Sequence, residues 1–225
     1  MRIAIYRLSL SRIENYDILG KRRKEMLDKN IFQYFGSKQE RIYRVLLSQK
    51  IRNPSGYKIS KLTEVSYPYV HTILDELERK GIVKDRQILD SKKLFHYWAD
   101  HRGPDYLREY NIQNPKEILK NTRMDYAFTG YFAENLTGGY LFPRYYELYI
   151  KDYEYEKWHK YLTNSGYLGK GNVKIYCSDH HVFFENHSVD DWPVVSLQQL
   201  IVDLIREGAE CGEAGERLMK MMYHA

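Results

Sequence analysis

The chain has 225 residues, 43% of them apolar and 15% aromatic, enough for sizeable cores in one large or two ordinary domains. Its formal net charge of +5 is unevenly spread, with 21 Lys and Arg against 12 Asp and Glu in residues 1–100 and 14 against 18 in residues 101–225. Only Cys177 and Cys211 are present, without a Cys-x-x-Cys pair, which excludes a disulfide framework, and no apolar run reaches membrane-spanning length, so a soluble, cytoplasmic chain with no membrane partner is expected.

Residues 1–36 form an N-terminal arm whose fold the pattern does not specify. Arg2 and Arg7 interrupt its first apolar stretch, which is therefore no signal peptide, and Lys21-Arg22-Arg23-Lys24 makes a basic cluster suited either to a solvated face or to phosphate contact. Residues 37–49 carry Ile42, Val45 and Leu46 at helical spacing. After the breaker Asn53-Pro54-Ser55-Gly56 a short helix fits residues 60–64. A third helix begins at Ser66, a candidate N-cap with Pro68 in the first turn, and ends at Gly81. Val70, Ile73, Leu74 and Leu77 form its apolar stripe, so its polar first turn faces outward.

Two short strands, 82–84 and 94–98, are then predicted around a polar tip with Arg86, Asp90, Lys92 and Lys93. Helix, short helix, capped helix and basic hairpin over residues 37–98 resemble the winged helix-turn-helix transcription regulators, in which the third helix enters the major groove and the hairpin touches the flanking backbone. That resemblance implies double-stranded DNA as a partner. Bases would be met by Ser66, Tyr67, Tyr69, His71 and Thr72 and phosphates by Lys61, Lys84, Arg86, Lys92 and Lys93. No Arg or Asn fork for guanine or adenine stands in the first turn, and Asp75 and Glu76 keep the rest of the helix from lying deep in the groove.

Residues 99–121, with Gly103-Pro104 and Asn114-Pro115, read as a connector holding one short helix. Residues 122–225 read as a C-terminal α+β domain: part-helical 126–136, strands at 145–150, 173–177 and 181–184, a helix at 155–163, and two closing helices, one capped by Ser196 and ended by Gly208, the other over 213–222. The expected fold class is therefore α+β, a winged helix-turn-helix followed by a partner-binding domain.

Three clusters in the second half invite a chemical reading. Thr129-Gly130 followed by Glu147-Leu148-Tyr149 resembles the opening of small nucleotidyltransferase domains, where a glycine turn precedes a strand bearing two metal-binding carboxylates at i and i+2. Tyr149 stands at the second carboxylate position, and one carboxylate cannot bridge two Mg²⁺ ions, so a degenerate, non-catalytic domain without a cofactor is expected. Cys177-Ser178-Asp179-His180-His181 with His187 collects metal-ligating side chains at no spacing of a zinc site and reads as a turn. Finally, Thr129-Gly130-x-x-Ala133, Ser196-x-x-Gln199-Leu200-x-x-Asp203-Leu204-x-x-x-Gly208 and Gly212-Glu213-Ala214-Gly215-Glu216-Arg217-Leu218, following the winged-helix pattern, resemble the antitoxins of type IV (AbiEi-type) toxin–antitoxin systems; Ala209-Glu210-Cys211 stands where those have a glycine-arginine pair.

That resemblance implies an autorepressing, sequence-specific regulator whose C-terminal domain opposes a nucleotidyltransferase toxin, and it leaves room for a homodimer on a two-fold operator. A winged-helix regulator responsive to a small ligand, and a nucleotidyltransferase-like enzyme, remain open as other readings.

Overall fold

The computed structural model describes residues 37–101 and 108–223. The arm expected over 1–36, its Lys21–Lys24 cluster included, and the Gly103-Pro104 breaker lie outside them. The described residues belong to one compact unit.

Helices α1 (Ser37–Leu46), α2 (Gly56–Thr63) and α3 (Tyr67–Arg79) come first. Helix α2 starts four residues before the expected position, because the Ser55 side chain accepts from Lys58 N and caps it there. The α3 stripe buries Val70, Ile73, Leu74 and Leu77 as its spacing requires. Ser66 sits at the N-cap position of α3, but its hydroxyl makes no capping bond among the described residues.

Strands β1 (Val83–Lys84) and β2 (Gln87–Ile88) then form a hairpin whose two central residues, Asp85 and Arg86, have positive φ of 49° and 66°. Such a tight turn matches the right-handed twist of the strands it joins. The strand expected at 94–98 is instead inside helix α4 (Ser91–Asp100): Asp90 Oδ1 accepts from Lys93 N at 2.9 Å to cap it, and Leu94, Phe95 and Trp98 share its buried face. Lys92 and Lys93 thus stand in the first turn of a helix, not on the hairpin.

The remainder is a mixed α+β arrangement around a seven-stranded sheet in the order β6-β3-β7-β5-β4-β9-β8. Its strands are β3 (Arg108–Ile112), β4 (Ala127–Thr129), β5 (Tyr146–Lys151), β6 (Gly166–Leu168), β7 (Val173–Ser178), β8 (His187–Val189) and β9 (Trp192–Val194). Strand β3 lies inside the sheet, hydrogen-bonded to both β6 and β7, so residues 99–121 are not merely a connector. Its short helix is α5 (Pro115–Asn121); α6 (Gly130–Thr137) and α7 (Tyr155–Ser165) follow. The strand expected at 181–184 is a 3-10 helix, His180–Phe183, whose first turn is capped by Asp179 accepting from His181 N.

In-register pairing gives the two faces of the sheet different chemistry. Phe128 opposite Leu148, Leu148 opposite Ile175 and Ile150 opposite Cys177 make one face apolar. Thr129 opposite Glu147, Glu147 opposite Lys174 and Tyr149 opposite Tyr176 make the other polar. Helix α8 (Leu197–Glu207) carries Gln199 and Asp203 over the polar face and packs on α4, α6 and α9 (Ala209–Tyr223). Gly215 lets α9 approach α8 closely, since a Cβ there would lie 3.1 Å from Leu204 Cβ and 3.2 Å from Ile201 O. No helix among the described residues is long and apolar enough to cross a membrane.

Candidate nucleic-acid interface

The first turn of α3 presents Ser66, Tyr67 and Thr72 as exposed side chains, with His71 half-buried beside them. Tyr67 and His71 meet edge to face with ring centroids 4.6 Å apart, and Gly56 at the start of α2 leaves room for the Tyr67 ring. The Thr72 hydroxyl donates back to Pro68 O at 3.1 Å, which leaves its lone pairs to accept. Lys61 is exposed on α2, its ammonium 5.5 Å from the centroid of the exposed Tyr57 ring. The Tyr67 and His71 rings thus lie against the start of α2.

Tyr69 is set apart from them. Its ring is half-buried, and burial, then the Glu76 carboxylate, push its hydroxyl above the usual phenol range. At the opposite end of α3, Asp85 N donates to Glu78 Oε1 at 2.8 Å, which fixes the hairpin against the helix with Lys84 and Arg86 exposed on it. Lys92 pairs with Glu216 of α9 at 3.2 Å and Lys93 with Asp90 at 3.8 Å. Both remain exposed, and ion pairs at such positions are weak and screened by salt. Sequence reasoning missed Lys58, Arg79 and Lys80, exposed cations on α2 and at the end of α3; spacing on their own helices could have found them.

Behind this surface runs a buried polar network that joins α1 to the sheet and α8. Arg44 is 2% exposed; its guanidinium donates to Gln199 Oε1 through Nε at 2.9 Å and Nη2 at 2.7 Å, and Nη1 meets His181 Nδ1 at 2.9 Å. Glu40 of α1 accepts from Arg206 Nη2 at 2.6 Å. Asp203 accepts from Thr129 Oγ1 at 2.7 Å, Gln199 Nε2 at 2.8 Å and the Tyr149 hydroxyl at 3.2 Å. Burial raises the Asp203 carboxyl to about 6, opposed by Arg206 and by the bonds from Thr129 and Gln199. Two guanidinium groups approach the Trp98 ring, Arg44 at 5.5 Å and Arg206 at 5.9 Å from its centroid.

The region compared above with nucleotidyltransferases is arranged around Glu147. Its carboxylate, on a residue 3% exposed, accepts from Tyr131 N in the first turn of α6 at 3.0 Å and from Lys174 Nζ at 3.3 Å. Burial shifts this carboxyl upward, while Tyr131 N and Lys174 pull it down. Gly130 is required here for two reasons: its φ is 58°, and a Cβ would sit 1.8 Å from Glu147 Oε2. Tyr149 is buried with its hydroxyl committed to Asp203. Among the described residues no group of three or more His, Cys, Asp or Glu side chains is placed to hold a metal ion. His180 meets Glu64 Oε2, and His181 meets Leu62 O and Arg44, so both imidazoles of that pair are bonded to protein groups.

Comparison of the chain with family models, with curated proteins and with solved structures gives no match.

Proposed function

We propose that this chain is a double-stranded DNA-binding transcription regulator, with residues 37–101 acting as a winged helix-turn-helix whose wing is a minimal hairpin. The observation that carries the reading is the exposed start of α3, with Ser66, Tyr67, His71 and Thr72, together with Lys61 exposed on α2 and with Lys84 and Arg86 on a hairpin fixed at the other end of α3. Amides of a helix start left without a side-chain cap favour phosphate, and the surrounding cations add salt-dependent affinity. Base contacts would come from hydroxyl, phenol and imidazole groups, so much of the discrimination between sites would rest on duplex shape.

On the strength of the sequence resemblance, we place the regulator as an autorepressor acting as the antitoxin to a nucleotidyltransferase, bound to a two-fold operator as two copies. The test is selection of duplexes from a random pool, followed by fluorescence anisotropy of the enriched duplex between 50 and 200 mM salt. A log–log salt slope of about −3.6 or steeper is expected for four or more phosphate contacts. A flat titration on every duplex removes the reading.

A second reading, a regulator responsive to a small ligand, is favoured by one feature: a cavity of about 340 Å³ lined by Tyr126, Phe183, Pro193 and the Lys151 side chain. A saturable rise in Tm with a metabolite that also changes duplex affinity would support it.

A further inference from the structure

At the end of α2 the Ser60 carbonyl is met locally by the Glu64 and Val65 amides, and the turn into α3 passes through Glu64 at φ 57°, a left-handed conformation that a non-glycine residue does not hold by local preference; the Leu62 and Thr63 carbonyls beyond it need other donors. Both are bonded from outside the α2/α3 pair. Arg41 Nη1 of α1 donates to Thr63 O at 3.0 Å, and His181 Nε2 of the 3-10 helix bonds Leu62 O at 3.2 Å.

The His181 tautomer follows from its other nitrogen. Nδ1 faces Arg44 Nη1 at 2.9 Å, and a guanidinium only donates, so Nδ1 accepts and Nε2 carries the hydrogen given to Leu62 O. Asp179 ties the two donors together: Oδ2 accepts from Arg41 Nε at 3.1 Å, and Oδ1 accepts from His181 N at 2.9 Å. His180 adds an outer contact to Glu64 Oε2 at 3.0 Å, on groups more than half exposed.

We propose that Arg41, Asp179 and His181 form a clamp through which the 3-10 helix of the C-terminal half positions the 62–65 turn, and with it the first turn of α3. In its effect on DNA this rests on the function proposed above. The bonds to Thr63 O and Leu62 O are directional, so moving the 3-10 helix leaves the turn to the local bonds of Ser60 with Glu64 and Val65 and lets the start of α3 drift. A partner or ligand on the C-terminal half would therefore control the DNA-facing turn without touching it. Arg41, Asp179 and His181 are positioning residues in this scheme, remote from the duplex themselves.

The test uses the full chain with Asp179→Ala, His181→Leu and His181→Gln, each studied where near-ultraviolet circular dichroism shows it folded. The Gln side chain places an N–H donor close to the site of imidazole Nε2. Asp179→Ala and His181→Leu are expected to speed amide hydrogen exchange over residues 62–72, to leave β5 and β7 protected, and to weaken binding of the enriched duplex about five- to tenfold, the worth of one or two hydrogen bonds. His181→Gln is expected to recover both. Asp179 is partly accessible, so its variant keeps the test usable should His181→Leu fail to fold.

Unchanged exchange over 62–72 in folded Asp179→Ala, or acceleration spread evenly through the sheet, overturns the clamp. Local acceleration with wild-type duplex affinity overturns its control of DNA binding. If the wild-type chain binds no duplex, the DNA-binding reading falls, and the exchange data still decide whether the clamp holds the turn.

Discussion

Replacing Gly130 by Ala should destabilise the protein through two separable effects. The first is conformational: at φ 58° an alanine costs about 1–2 kcal/mol relative to glycine. The second is steric, since the new Cβ would lie 1.8 Å from Glu147 Oε2 and 2.7 Å from its Cδ, which forces the carboxylate away from Tyr131 N and Lys174. Leaving those buried partners unmatched costs about 1–3 kcal/mol, so the total comes to roughly 2–5 kcal/mol. In a Glu147→Ala background the steric effect disappears and only the conformational one remains. Urea unfolding of the four proteins of the double-mutant cycle should therefore give a coupling of about 1–3 kcal/mol. An equal cost of Gly130→Ala in both backgrounds would refute the account of why glycine stands there.

Other measurements probe the rest of the molecule. His181, held near 3 by burial and Arg44 against about 6.5 in the unfolded chain, leaves the unfolded state binding more protons below pH 6.5. Its contribution to stability is complete above that value and falls by up to about 1.4 kcal/mol per unit as pH drops toward 3. Asp203, raised to about 6, works in the opposite sense between about 4 and 6, so the His181 effect is read as the pH-dependent difference between wild type and His181→Gln. Arg44→Ala should destabilise by about 3–5 kcal/mol in urea, because the buried Gln199 Oε1 and His181 Nδ1 lose their donor, whereas Arg44→Met should recover part of this by filling the volume. Lys84→Ala with Arg86→Ala should reduce the log–log salt slope of duplex binding by about 1.8, and an unchanged slope would place the hairpin off the DNA. The buried thiols of Cys177, pushed up to about 12, and Cys211, pushed up to about 11, should resist alkylation in the native protein at pH 8 and react together on unfolding.

The long amphipathic helices were legible from spacing alone. All four α3 stripe residues are buried, and the apolar period of 197–205 marks the core side of α8. The short strands were not, because β6, β8 and β9 have three residues each and depend on their neighbours rather than on alternation. Leu94 to Trp98 read as a strand because its apolar residues are consecutive as well as periodic; the Asp90 cap and the packing against α8 decide for helix. The 3-10 helix at 180–183 escaped because Asp179 capping competes with a strand that the residue types allow. The polar network was visible only as an anomaly: Gln198, Gln199 and Asp203 interrupt an otherwise apolar helix, a pattern that asks for distant partners without saying that they are Arg44, Thr129 and Tyr149.

The guanidinium of Arg44 finds its acceptor 155 positions further along the chain, and Glu40 finds Arg206 after 166. On the ribosome, α1 is thus made long before the groups its buried side chains bond to. Until α8 emerges, Arg44 has no buried site to occupy and stays in water, so α1 cannot settle into its final packing. Final packing of α1 is in this way withheld until the 197–207 segment has been made.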